Sequence, residues 1–382
     1  MNRFEHLHVR GFRRLQDLRL ELRPLCVLIG ANGSGKTSLL DVFSLLAASA
    51  SGKLMHKIRE FEGLSAMLTL DRAPEMSFEL AMSDLHFSPL VYELTLSPRG
   101  VIYEISQESL TQQRGANSAP FEFIQSHDGY IYYYDIQNSK MISPTWEHYP
   151  LETSLGQVPK MFKEPEEFRR QLASSTHYHV LNVGPLSPVR FPQPLRPATL
   201  PGRNGEDLVS CLFYLREADR DRFEAIEDTL RAAFPSFQRL DFPPVAAGTL
   251  AMTWKESNST RPLYMHQLSE GTLRFLWLVA LLHSPGLTAV TLLDEPEVSL
   301  HPELLNLLAG LLREASERTQ IVVATHADRL VRFLEPDEVV TLDLAEDGTT
   351  QATWADQLDL EEWLKEYTLD EVWRLGRMGG RS

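Results

Sequence analysis

Along the first third of the chain, apolar positions recur mostly at every second residue. Residues 4–9 (FEHLHV) alternate and predict a half-buried strand. Residues 25–29 (LCVLI) form a short unbroken apolar run, which predicts a strand covered on both faces. A helical pattern follows from Ser38 to about Leu46. Between about residues 64 and 136 the texture is β. Segments 90–96 and 101–106 flank Ser97-Pro98-Arg99-Gly100, and segments 121–126 and 130–136 flank His127-Asp128-Gly129, so each pair predicts a hairpin. The alternating Tyr and Phe of these segments are read as sheet-face packing rather than as a platform for stacked bases.

Helical spacing returns at 164–175, 205–217 and 219–233, with a proline-rich extended connector at 185–201. A strand at 249–254 precedes a long apolar helix from Thr272 to His283, then a strand (289–293), a helix (302–317) and a strand (320–324). That rhythm implies a parallel sheet. No internal repeat and no sustained heptad seam is present. The expected fold class is α/β, with a mixed or parallel core sheet, an antiparallel β-rich subdomain and a helical lobe. The expected division is a first lobe (1–184), a connector with a helical insertion (185–250), a second lobe (251–345) and an acidic amphipathic tail (346–382). In the tail, Leu358, Leu360, Trp363, Leu364, Tyr367, Leu369, Val372 and Trp373 can form one apolar helical face, read as docking on the protein's own lobe.

Composition narrows the function classes. The 382 residues are 43% hydrophobic and 23% charged, enough for a core without staples. The two cysteines, Cys26 and Cys211, show no CxxC or Cys/His spacing, so neither a disulfide framework nor a zinc site is expected. No run reaches the roughly 20 apolar residues of a membrane span, and the charged, alternating N-terminus is unlike a signal peptide; the expected location is cytoplasmic, with no membrane partner. The net charge of −15 argues against wholesale coating of nucleic acid. Arg3, Arg10, Arg13, Arg14, Arg19 and Arg23 leave room for one local basic patch. His6 with His8, and His177 with His179, each share a strand face, but neither pair has a Cys or acid at a metal-ligand spacing, so no metal site is assigned to them.

Two segments carry chemistry. Gly30-Ala31-Asn32-Gly33-Ser34-Gly35-Lys36-Thr37 matches G-x-x-x-x-G-K-[ST] between an apolar strand and a helix, the context a phosphate-binding loop requires. Its glycines let backbone N–H groups turn toward phosphate oxygens, and the helix adds its positive end. Lys36 is placed to reach the β- and γ-phosphates and the Thr37 hydroxyl to bind Mg²⁺, with Ser38 completing the nucleotide contacts. The second segment is Val290-Thr291-Leu292-Leu293-Asp294-Glu295-Pro296-Glu297, a buried strand that ends in two acids. Asp294 suits magnesium, directly or through a water, and Glu295 suits activation of the attacking water.

The order of further motifs resembles the RecF-like and SMC-like ATPases of the ABC class. Leu268-Ser269-Glu270-Gly271-Thr272 is similar to their signature loop, with Thr where transporter heads usually carry Gln. Glu297-Val298-Ser299-Leu300-His301-Pro302 is similar to their D-loop region, Thr325-His326 after an apolar strand to their switch histidine, and Val9-Arg10-Gly11-Phe12-Arg13 to their opening strand. The resemblance covers residues 1–48 and 260–330 and the middle only loosely. It implies ATP and Mg²⁺ as ligands, ATP hydrolysis, and a homodimer or larger homo-oligomer. In that assembly Ser269 and Gly271 meet the γ-phosphate in trans, His326 senses it in cis and Arg13 contacts nucleotide phosphates. It further implies DNA and a separately encoded effector as partners, in genome maintenance or anti-phage defence. None of Gln107, Gln112 and Gln113 has the context of a Q-loop glutamine. The chain also resembles the head of overcoming-lysogenization-defect nucleases, but only about fifty residues follow His326, too few for their Toprim domain, so no nuclease activity is expected. Leu342-Asp343-Leu344 reads as a strand end. The alternatives are the ATP-driving subunit of a membrane transporter, disfavoured by the opening strand and the signature, and a non-hydrolysing scaffold, disfavoured by intact Lys36, Thr37, Asp294, Glu295 and His326.

Overall fold

Two sheets divide the computed structural model, which describes residues 2–69, 72–100, 102–115, 119–127, 129–136 and 138–379. The core sheet has six strands in the order Thr176–Tyr178, Val290–Asp294, Gln320–Ala324, Leu25–Gly30, Val339–Leu344, Thr350–Trp354. All neighbours are parallel except the last pair. Its faces explain the unbroken apolar runs. On Leu25–Gly30, Leu25, Val27 and Ile29 enter the core shared with the helical lobe. Cys26 and Leu28 enter the core beneath the second sheet. A strand covered on both sides cannot alternate with polar residues.

The second sheet is antiparallel and has eight strands: Leu15–Glu21, Phe4–Phe12, Met76–Met82, Leu90–Arg99, Ile102–Gln112, Phe121–His127, Tyr130–Asp135 and Lys140–Ile142. Both expected hairpins are present, and the first extends several residues beyond the segments read from sequence. Asp128, expected in the second turn, lies outside the described residues. The aromatic residues pack as expected: Tyr92 and Tyr133 are buried, and Phe121 meets Phe123 and Tyr134 edge-on. The helix Lys36–Ala50 lies between the sheets, with Leu39, Leu40, Val42, Phe43, Leu45 and Leu46 all fully buried. Burial on both sides is what lets a helix so poor in charged residues sit there.

The helical lobe contains Leu208–Ala218, Arg220–Ala233, Glu270–His283 and Leu304–Ser316, close to the expected spans. Two expectations change. Residues 249–254 do not form one strand. Thr249–Leu250 pairs with Gln193–Pro194 and Pro244–Ala246, while Thr253–Glu256 pairs with Phe237–Asp241 and Leu263–Tyr264. The chain thus passes from one small sheet to another. The tail is not one helical face either. Thr368 and Glu371 form a reciprocal capping box that starts a new helix, Leu369–Arg374, after the short Glu361–Leu364. Leu360, Leu369, Val372 and Trp373 are buried in the helical lobe's core, so the tail docks on its own lobe, as read, while Tyr367 stays exposed. Among the described residues no helix is long and apolar enough to cross a membrane.

Candidate functional site

The phosphate-loop segment leaves the sheet at Gly30 and turns into the Lys36–Ala50 helix. Backbone geometry dictates its glycines. Gly30 has φ +151, and a Cβ there would lie 2.3 Å from Leu342 O on the adjacent strand. Gly35 has φ +105 and faces Thr350 Oγ1 and Leu15. Gly33 has φ +77 with open space beside it, so conformation alone selects glycine there. The C-terminal strand pair buttresses the loop: Thr350 Oγ1 donates to Ser34 O at 2.8 Å, and Thr350 N donates to Arg14 O at 3.0 Å. Nothing in the sequence marked this role for Thr350: Leu342-Asp343-Leu344 reads as a strand end, but the returning strand Thr350–Trp354 was not foreseen.

Lys36 is 4% exposed. Its Nζ donates to Gly30 O at 2.6 Å and to Ala31 O at 2.9 Å, which leaves one N–H for a further acceptor. Burial pulls its pKa down to about 8, partly opposed by the negative charges of Glu295 and Asp294. Ser34 Oγ is buried without a hydrogen-bond partner. Asn32, Gly33 and Thr37 are exposed and Ser38 is half-buried. A buried ammonium with a free donor, an orphaned hydroxyl and an open glycine bend are a donor set that suits a polyphosphate.

Both acids arrive from one strand, two places along the sheet from the strand that leads into the loop. Val290–Asp294 delivers Asp294 and Glu295 to the same end of the sheet as the loop. Glu295 has φ +46, a left-handed conformation costly for a non-glycine residue, and its N–H donates to Ala324 O at 2.8 Å. That bond extends the ladder past Asp294 and fixes the carboxylate's direction. His326 follows Gln320–Ala324 and places Nε2 3.7 Å from Glu295 Oε1. Burial, then the Lys36 charge, lowers the His326 pKa.

Arg13 sits in the turn between the first two strands. Its guanidinium lies over Phe12 and Phe61, with Nη1 2.6 Å from Asp41 Oδ2. With Arg14, Gly33, Gly35, Lys36, Thr37, Ser38 and His326 it walls a cleft of about 230 Å³. Ser269 and Gly271 are absent from those walls. Ser269 caps the Glu270–His283 helix, its Oγ accepting from Thr272 N at 3.1 Å, and is exposed. Gly271 packs so closely on Ser299 that a Cβ would lie 2.6 Å from Ser299 O. Gln107 and Gln112 belong to the antiparallel sheet, where Gln112 is buried and donates to Ser88 O. Beside Asp294 the edge strand instead brings His179, with Nδ1 3.9 Å from Asp294 Oδ2.

A second buried link was not legible. Thr325 Oγ1 donates to Glu297 Oε1 at 2.5 Å and accepts from Ala327 N at 3.0 Å. Burial raises the Glu297 pKa, and Oε2 has no partner. The hydroxyl ties the turn carrying His326 to the segment that leads to Ser299. Thr325→Val is isosteric but leaves Glu297 and Ala327 N unpaired, so a loss of about 1–3 kcal/mol of stability is expected by thermal or denaturant melts; Glu297→Gln, which keeps an acceptor, is expected to melt near the wild type.

This geometry defines the class: an ABC-type P-loop ATPase head of the RecF-like and SMC-like kind. The chain belongs to the family described as "AAA domain, putative AbiEii toxin, Type IV TA system", whose model matches residues 25–332. No curated protein matches it. Solved SMC heads share its fold. An Smc head bound to the C-winged helix domain of ScpA is 16% identical with TM-score 0.57, covering 92% of this chain and 97% of that one. A Pyrococcus furiosus Smc head with an extended coiled coil, bound to the C-terminal domain of ScpA, is 13% identical with TM-score 0.55, covering 96% and 98%. A Pyrococcus yayanosii Smc head with a coiled coil and joint is 12% identical with TM-score 0.51, covering 96% and 99%. At these identities the likeness is one of fold.

Proposed function

We propose that this protein is an ATPase that works as an ATP-driven dimerisation switch. The observation that carries the reading is the split placement of its polar groups. Lys36, Asp294, Glu295 and His326 converge at one end of the core sheet, whereas Ser269 is exposed at a helix N-terminus outside the cleft. A second copy would supply Ser269 and Gly271 to close over the nucleotide. Gly30, Asn32, Gly33, Ser34, Gly35, Lys36, Thr37 and Ser38 bind the phosphates, with Arg13 at the mouth. Thr37 and Asp294 would hold Mg²⁺, which when bound offsets charge on the phosphate oxygens. Glu295 accepts the proton of the attacking water. His326 stands beside Glu295 and responds to the γ-phosphate, and the Thr325–Glu297 bond passes that response toward Ser299. Steady-state phosphate release from ATP–Mg²⁺ tests hydrolysis; no turnover above the Glu295→Gln background contradicts it.

Lys36 makes the binding pH-dependent. Its pKa is about 8 in the free protein, and a bound polyphosphate raises it. Below pH 8 the ammonium is already present, so this group adds no dependence. Above pH 8, ATP binding takes up a proton, and affinity falls by up to about tenfold per pH unit until the bound-state pKa is reached. Calorimetry at pH 9 in two buffers of different ionisation enthalpy reads that uptake directly; equal apparent enthalpies contradict it.

The biological setting we propose is genome maintenance or anti-phage defence with a separately encoded effector and DNA as partners. Support comes from the family description, which names a toxin of a type IV toxin–antitoxin system, and from SMC heads solved with ScpA domains. Arg13 and Arg14 at the cleft rim are the candidate phosphate contacts to DNA. Substituting them is expected to weaken DNA binding and reduce its salt slope; an unchanged slope contradicts that groove.

A further inference from the structure

We propose that His177, His179 and Asp294 form a binding site for a divalent transition metal of the zinc–cobalt class, able to fill without nucleotide. The three side chains offer ligand atoms that all lie within 4.8 Å of one another. They come from adjacent parallel strands, with His177 in register with Leu292 and Tyr178 with Leu293. In a tetrahedral site with bonds of about 2.0–2.1 Å, ligand atoms stand about 3.3–3.5 Å apart. The 3.9 Å from His179 Nδ1 to Asp294 Oδ2 therefore needs only a side-chain adjustment.

The hydrogen bonds around His177 fix which ring nitrogen is free. Ser44 Oγ donates its only proton to Leu40 O at 3.1 Å. The same oxygen lies 3.1 Å from His177 Nδ1, so Nδ1–H is the donor of that pair and Nε2 carries the lone pair. Nε2 is buried with no hydrogen-bond partner, and His177 as a whole is only 7% exposed. A buried, unpaired, correctly tautomerised imidazole nitrogen is costly unless something occupies it. An Nδ1–H held by a hydroxyl is the outer-shell arrangement that metal-ligating histidines use.

The donor set selects the metal. Two imidazoles and a carboxylate suit zinc, cobalt, nickel, manganese or iron, whereas magnesium takes oxygen ligands and retains its waters. His177 and His179 line a cavity of about 390 Å³, which opens the site on that side. Lys57, paired to Glu60 at 2.9 Å, His56 and Arg203 also line that cavity. Lys53, Lys57 and Arg203 outnumber Glu60, the one carboxylate on that lining, which favours an anionic fourth ligand, such as hydroxide or a phosphate oxygen.

The site shares Asp294 with the proposed magnesium position and so rests in part on the ATPase reading. The test is therefore done without nucleotide, on the full chain. Co²⁺ is titrated into metal-free protein and its visible d–d absorption recorded, with Zn²⁺ competition for affinity. One bound ion per chain is expected. His179→Ala, at an exposed position where folding is not at stake, is expected to weaken binding by at least about 100-fold, and Ser44→Ala by about tenfold through loss of the tautomer lock. Absence of Co²⁺ binding, or binding indifferent to His179→Ala and His177→Gln, overturns the proposal. Because ATP binding is measured separately, a chain that binds Co²⁺ but not ATP overturns the nucleotide reading alone, and the reverse result overturns this one alone.

Discussion

Lys36→Ala is expected to raise the dissociation constant for ATP by about 10–10²-fold while leaving the melting temperature undiminished. The lysine would give the phosphates a charge-assisted hydrogen bond, worth about 1.5–3 kcal/mol. The one N–H left after the bonds to Gly30 O and Ala31 O forms one such bond, which accounts for the range. The stability argument runs the other way. Lys36 is buried and its pKa is lowered from 10.5 to about 8. A cation whose folded pKa is depressed disfavours the folded state below that pKa, and the penalty fades as pH rises from about 8 toward 10.5. Removing it at pH 7 removes the penalty. Isothermal titration with ATP–Mg²⁺ and a thermal melt on the same sample check both halves. A variant that loses affinity and also melts well below the wild type would mean that the lysine braces the loop through Gly30 O and Ala31 O rather than serving the ligand.

Glu295→Gln is expected to keep ATP affinity within a few-fold and lower kcat by about 10²–10⁴-fold. Glutamine has the shape of glutamate but cannot take a proton from water, and positioned general-base catalysis contributes about that factor. The backbone constraint at φ +46 and the N–H bond to Ala324 O do not depend on the carboxylate charge, so the fold is retained. The loss should appear in kcat and not in KM. Single-turnover phosphate release reads it; a decrease under about tenfold would assign proton transfer to another group and leave Glu295 a structural residue.

The contrast between what sequence disclosed and what it hid follows from contact range. The phosphate loop was legible because one contiguous stretch holds the whole device and its flanking elements. Asp294 and Glu295 were legible because a buried strand cannot end in two acids without a reason. The capping box at Thr368 and Glu371 was equally readable, being local, yet an apolar count that continued through it merged two helices into one face. Thr350 under the loop, the Thr325–Glu297 bond, and His179 beside Asp294 join residues from strands far apart in the chain. No local period encodes which strands become neighbours. For His177 and His179 the sequence had supplied the spacing but no partner; the partner is Asp294, more than a hundred residues later, brought there by parallel pairing of the edge strand.

The most direct test of the switch is light scattering on Glu295→Gln with and without ATP–Mg²⁺, repeated with Ser269→Arg added. The exposed Ser269 gives up only a helix cap worth about 1 kcal/mol, so the double variant should fold. A shift from monomer to dimer, or from dimer to a larger assembly, that requires ATP and disappears with Ser269→Arg is the predicted result. An unchanged mass with ATP bound normally, or a shift indifferent to Ser269→Arg, would contradict a nucleotide site completed by a second copy.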